Sequence, residues 1–221
     1  MSPDAVSPDA AWLLEACADA FGATGGAGRP ALLRAAQDVL ARYAEPHRRY
    51  HDVRHLAEVV TALRSLAADP PATVLCAACF HDAVYEPAAH DNEHRSAVLA
   101  EQVLGRLGWP ARTVREVVRL VLLTATHAPA PGDEAGALLC DADLAVLAAA
   151  PGRYLAYAAD VRAEYAHLDE PTFRAGRAEV LRALVGRPRL FRTAPGHRRW
   201  DARARQNVRA ELGRLGAGPP P

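Results

Sequence analysis

Apolar residues recur at intervals of three and four along almost the whole chain, in ALLRAAQDVLARY, HLAEVVTALRSLA, ATVLCAACF, HRSAVLAEQVLGRLG, ARTVREVVRLVLLTATH and ALLCDADLAVLAAA. That spacing gathers them on one face of an α-helix, whereas a half-buried strand needs strict alternation, which no stretch offers. The periodic segments break at GATGGAGRP, DPPAT, YEPAAHD, GWPA, APAPGDEAG and AAAPGR, where Gly, Pro and Asp end one helix and start the next. The expectation is an all-α fold, a single-domain helical bundle of about eight to ten helices joined by short loops. With 221 residues, half of them apolar, the chain can fill one sizeable core. Residues 29–215 show no repeat or linker that would mark a boundary. Residues 1–28 are expected to add a helix packed on that domain, and 216–221, GAGPPP, a disordered tail.

Every basic side chain is arginine, and the 26 of them balance 26 acids. Zero net charge argues against a surface that holds a nucleic-acid polymer by overall charge, although a local arginine can still grip a phosphate. No apolar run approaches the roughly 18 to 20 residues of a membrane span, and the first residues carry acids where a secretory signal needs a basic start. A cytoplasmic protein without a membrane partner is therefore expected. Cys17, Cys76, Cys79 and Cys140 lack the spacing of a disulfide framework and should be free thiols. Cys76 and Cys79 form a CxxC, but in VLCAACF the pair lies on a core face, and no second CxxC accompanies it.

The chemistry concentrates in two strings. YHDVRHLAEVV places His51 and His55 four residues apart on one helical face, and CFHDAVY, 26 residues after His55, brings His81 and Asp82 at the end of a very apolar helix. Later, LLCDADLAVL sets Asp141 and Asp143 in another interior-looking run. Burying carboxylates without a partner is costly, so these acids need a cation or hydrogen-bond donors. One histidine, a His-Asp pair and a later aspartate, each on its own helix, can converge in a bundle as a mixed nitrogen and oxygen set. Such a set suits a divalent ion and leaves positions open for water and substrate.

The order His55, then His81-Asp82, then Asp143 resembles the metal motif of the HD-domain superfamily of metal-dependent phosphohydrolases. The strings YHDVRH, CFHDAVYEPAAHDNEHRSA and LLCDADLAVL are similar to a bacterial group of predicted HD phosphohydrolases. The resemblance runs from about Arg48 to about Leu212, with VRAEY, FRAGRAEVL and ARQN in order. It implies an HD-type helical domain over 29–215 and His55, His81, Asp82 and Asp143 as metal ligands. Between the two acids of DAD it points to Asp143 as ligand, with Asp141 as a partner of a neighbouring helix or of a ligand histidine. His51 matches the place where distant relatives, the cyclic nucleotide phosphodiesterases, put a leaving-group acid. The alternative for His51 is a surface histidine that merely shares the turn with His55.

The segment HDNEHRSA adds further candidates. Glu93, with Asp91 and Asn92, resembles the group's DNE string, which implies a part in orienting a water at the metal, Glu93 as a catalytic residue and Asn92 as a supporting one. His90 and His94 depart from the pattern and are read as solvent-facing residues, a second metal being the alternative. His127, ending RLVLLTATH, is a supporting or substrate-facing candidate. Arg162 and Arg177 lie in helical patterns where an inward guanidinium would grip a substrate phosphate by two hydrogen bonds. Otherwise they pair with Glu164 and Glu179 on a solvated face.

The expected reaction is hydrolysis of a phosphate ester, a nucleotide or another small phosphorylated metabolite, by water activated on a divalent ion (Mn, Zn, Fe, Mg, Co or Ni). In it Asp82 is both ligand and orienter of water, and His51 protonates the leaving oxygen. Two other classes fit the same residues. One is a di-iron oxygenase recruiting His90, His94 or His127; the other is a metal- or nucleotide-binding module without turnover.

Overall fold

The computed structural model describes residues 8–216, so the expected disorder of 217–221 lies outside the described residues. Seventy per cent of the structure is helical, with ten α-helices and no strand among the described residues. In chain order they are α1 (Pro8–Gly22), α2 (Arg29–Tyr43), α3 (Val53–Leu66), α4 (Ala72–Phe80), α5 (Asn92–Arg106), α6 (Ala111–Leu123), α7 (Glu134–Asp143), α8 (Pro151–Glu164), α9 (Glu170–Val185) and α10 (Ala194–Arg214). A short 3-10 turn, Leu144–Ala148, continues α7. The all-α expectation holds; the named Gly, Pro and Asp breaks fall between helices, and three further connections, at 44–52, 165–169 and 186–193, separate α2 from α3, α8 from α9 and α9 from α10.

Two apolar clusters make the core. The first joins α1 to α7 around Leu13, Phe21, Leu56, Leu63, Phe80 and Leu120, and the second joins the 3-10 turn to α8, α9 and α10 around Leu147, Tyr154, Leu181, Phe191 and Val208. Trp200 packs against both, and its ring meets Phe191 edge-on at 5.4 Å. The helix within the first 28 residues is α1, whose Leu13, Cys17, Ala18 and Phe21 are buried in the first cluster. Cys76 and Cys79 are buried there as well, as free thiols, with Cys79 Sγ 3.1 Å from Cys17 Sγ. No single helix among the described residues is long and apolar enough to cross a membrane.

α4 positions the site. Eight of its nine residues are apolar, and six of the nine are buried between α1, α3, α6 and α7. A helix that is hydrophobic all round belongs inside. Its C-terminal turn, His81-Asp82, is therefore delivered to the middle of the molecule, close to the junction of the two clusters.

Candidate metal centre

His55 enters from the first turn of α3. That helix is capped by Asp52, whose side chain accepts the backbone N–H groups of Arg54 and His55 at 3.0 and 3.1 Å. An N-cap residue adopts an extended backbone, here φ −107° and ψ −173°, so the helix cannot reach back to His51. The one-face helical spacing expected for His51 and His55 is thus corrected: His51 sits in the turn before α3. The two rings are nevertheless neighbours, with centroids 5.7 Å apart. A stacked Tyr85 ring, at 4.1 Å and 27°, holds His51 there.

Four side chains from three places meet. His81 Nδ1 donates to the Ala78 carbonyl at 2.8 Å, which fixes the tautomer of the neutral ring and leaves its Nε2 as a lone pair. That Nε2 faces His55 Nε2 at 3.0 Å. Asp82 Oδ2 lies 3.4 and 3.1 Å from the Nε2 atoms of His55 and His81, and Asp143 Oδ1 lies 3.2 and 3.5 Å from the same two. The donor atoms of His55, His81 and Asp143 all fall within 4.8 Å of one another, a buried set that could hold a metal ion.

The spacing fits an ion. Donors bound at about 2.1 Å to one divalent metal are themselves about 3.0 to 3.4 Å apart. Two imidazole nitrogens pointing at each other, with two carboxylates beside them, are an arrangement that protons satisfy only in part. Burial opposes charge on both histidines, yet Asp82 and Asp143 outweigh it and hold His81 well above the usual histidine range. Burial likewise opposes the two carboxylates, and the histidines hold both well below theirs. The site is thus built to carry a positive charge at its centre.

A supporting frame surrounds it. His127 Nε2 lies 2.6 Å from Asp143 Oδ2. Its backbone has φ +49°, a left-handed conformation uncommon outside glycine but tolerated by histidine. The strain is held by His127 N–H donating to the Leu123 carbonyl at 2.9 Å and by Arg187 donating to the His127 carbonyl at 2.7 Å. Asp141 faces the other way. It accepts the Arg192 and Thr193 amides and the Thr193 hydroxyl at 2.7 to 2.8 Å, pinning the start of α10, so the neighbouring-helix alternative describes it. Gly196 is required there, because a Cβ would stand 2.6 Å from Asp141 Oδ2.

Two residues that hold the site were not singled out from the sequence. Buried Arg48 donates to the carbonyls of His51, Asp82 and Ala83 at 2.9, 2.6 and 3.2 Å, and its guanidinium lies against the rings of Tyr43 and Tyr85. It therefore staples the turn before α3 to the turn after α4. Glu164 is the second. Its Oε1 accepts the amides of Arg49, Tyr50 and His51, each at 2.9 Å, and its Oε2 receives His51 Nδ1 at 2.7 Å and the Tyr85 hydroxyl at 3.2 Å. Burial pushes the Glu164 carboxyl up, but the His51 bond and these amides bring it down to about 2. A signal existed: Tyr157, Val161 and Glu164 follow helical spacing, which puts the acid on the buried face.

The other expected residues lie apart from the cluster. Glu93 is half-buried in the first turn of α5, with no hydrogen bond to the histidines or aspartates of the cluster among the described residues. Asn92 instead closes the preceding loop, pairing with both the amide and the carbonyl of Glu86 at 3.0 and 2.9 Å. His90 and His94 are exposed, as expected. Arg162 binds Glu170 and the carbonyls of Tyr165 and Leu168, so it ties α8 to α9. Arg177 does point inward, but its guanidinium meets Glu211 at 2.8 and 3.3 Å and covers the Tyr157 ring. Neither pairs with the acid on its own helix that the solvated-face reading assigned to it.

Comparison with protein-family models, with curated proteins and with solved structures gave no match. The fold and the site therefore define the class directly: an all-helical protein with a buried histidine-histidine-aspartate group able to hold a metal ion. That architecture is compatible with an HD-type fold.

Proposed function

We propose that the protein is a metal-dependent hydrolase of phosphate esters, acting on a small phosphorylated metabolite. The observation that carries the reading is the 3.0 Å face-to-face approach of the His55 and His81 Nε2 atoms, flanked by Asp82 and Asp143. His55, His81, Asp82 and Asp143 would hold the divalent ion. When bound, such an ion supplies a nucleophilic water at neutral pH and draws charge from a phosphoryl oxygen.

The chain's own residues supply the rest. Asp82, with one carboxylate oxygen toward both imidazoles, keeps the other to orient the attacking water. His51 is oriented by Glu164 through Nδ1, which leaves Nε2 as the position that protonates the leaving oxygen. His127 holds Asp143 so that a single oxygen faces the cluster. Of the histidines that the di-iron alternative would recruit, His90 and His94 face solvent, whereas His127 lies against Asp143.

The experiment is metal analysis of the purified protein followed by a panel of nucleotides and phosphomonoesters, with and without added Mn, Zn, Fe, Mg, Co or Ni. The expected result is about one ion per chain and phosphate release that stops on chelation. Metal binding with no release from any ester rejects the hydrolase and leaves a binding module.

A further inference from the structure

A cavity of about 330 Å³ opens between α8 and α9 and is bordered by His51. Tyr157 and Val161 line it from α8, and Phe173, Gly176 and Val180 from α9, at the three- and four-residue intervals that place them on one face of each helix. Tyr50 and His51 border it from the turn before α3, and their rings lie 4.7 and 5.7 Å from the His55 ring between centroids. The cavity therefore comes within one ring of the cluster. The His51 side chain is 21% exposed while its Nδ1 is taken by the fully buried Glu164, which leaves the far edge of the ring to the cavity.

The walls are rich in aromatic carbon. Tyr50 meets Tyr157 edge-on at 4.6 Å, the Tyr165 and Phe173 rings lie 6.2 Å apart, and Val180 stands half exposed at the rim. Arg177 borders the cavity too, but its Nε and Nη2 are bound to Glu211 and its guanidinium covers the Tyr157 ring at 4.9 Å, so it adds a flat surface more than a free charge. The space itself is left open at Gly176, where a Cβ would meet no atom within 4 Å.

We propose that this cavity receives the alcohol portion of the ester, and that the portion it selects is an uncharged group carrying an aromatic ring. Its role as a leaving-group pocket rests on the hydrolase reading; its affinity for an aromatic ring does not. Three features support the assignment. His51, which protonates the leaving oxygen in that reading, lines the cavity, so a group attached to that oxygen extends into it. Aromatic rings attract one another at centroid separations of about 4.5 to 7 Å, and rings stand on both sides. Size agrees as well: a cavity of about 150 Å³ is enough for benzene, so 330 Å³ takes one ring with the short chain that joins it to the oxygen. A second phosphate or carboxylate on the alcohol would find Arg177 already neutralised by Glu211.

Calorimetry on the metal-loaded protein with two probes that cannot be hydrolysed, 2-phenylethylphosphonate and ethylphosphonate, tests this. The wild type should bind the phenyl compound about 10- to 100-fold more tightly, the gain from burying one aromatic group. Gly176→Leu, which fills the cavity from α9, should bring the two affinities together with the metal content of the wild type. Val180→Asp, which puts a charge at the exposed rim, should narrow the preference too, and it stands in if the leucine variant does not fold. No binding of either probe by the wild type, equal affinity for the two, or a ring preference that survives in the folded variants would each overturn the proposal. Turnover separates the two readings, with benzyl phosphate and methyl phosphate as esters whose leaving alcohols are of similar acidity. Ring-selective binding with neither ester cleaved removes the hydrolase and keeps the pocket, whereas cleavage of both at equal kcat/KM keeps the hydrolase and removes the pocket.

Discussion

His51 and Glu164, 113 residues apart in sequence, are joined at 2.7 Å between Nδ1 and Oε2, and the same carboxylate holds three successive backbone amides. Glu164→Ala would strand these donors in a buried place and should cost about 3 to 5 kcal/mol. Acid titration of the wild type checks the charge. The folded-state pKa, about 2, lies below the ordinary value of 4.5, so the folded form binds fewer protons. The contribution is complete above pH 4.5 and is lost as pH falls toward 2. In Glu164→Gln that part of the acid destabilisation should be absent, read from denaturant midpoints at several pH values.

Removal of single ligands tests the cluster. His81→Ala and Asp82→Ala should each lose the metal and the activity while far-UV circular dichroism stays close to wild type, because the substitutions remove donors rather than core volume. Metal content of the purified variants decides it, and a full complement in either one makes the dyad structural.

Chelation of the wild type should lower its melting temperature. An ion present at about 1,000 times its Kd stabilises the folded state by about 4 kcal/mol. For a chain of this length that corresponds to roughly 8 to 16 °C. A melting curve that does not move on chelation would mean that the folded state holds no tightly bound ion.

The two acids of DAD should separate cleanly. Asp143→Asn should abolish metal retention, since Asp143 Oδ1 lies 3.2 Å from His55 Nε2. Asp141→Asn should keep the metal, with a fall in affinity or rate of about 10- to 100-fold. Its main effect should be on stability, through the start of α10 where it accepts three hydrogen bonds. Gly196→Ala should resemble Asp141→Asn, because its Cβ would crowd the same carboxylate. Side-by-side metal titration is the measurement, and the reverse order of severity would make Asp141 the ligand.

Arg48→Ala removes donors from three carbonyls that bracket the site, and should destabilise by about 3 to 5 kcal/mol. Metal affinity should fall in the same variant although no ligand changes, because the two turns carrying His51 and Asp82 lose their staple. An unchanged affinity in the folded variant would show that α3 and α4 hold those turns without Arg48.

Periodicity of three and four, with Gly and Pro at the breaks, was enough to determine the all-α fold and to bracket its helices at about eight to ten, because those signals act within a few residues along the chain. Acids in apolar runs likewise marked Asp82, Asp141 and Asp143, since burying a carboxylate always demands a partner. Which partner each one has was decided only by the tertiary structure. Asp141 and Asp143 are chemically identical, and the path of α10 gives one the amides of Arg192 and Thr193 while the other faces His55 and His127. The same holds for the arginines. Arg48, Arg153, Arg162 and Arg177 all lie in similar helical or turn contexts, yet long-range packing hands Arg177 to Glu211 and Arg153 to Glu58. Hydrogen bonds between residues 30 to 115 positions apart depend on how the helices cross, and no local pattern encodes that geometry.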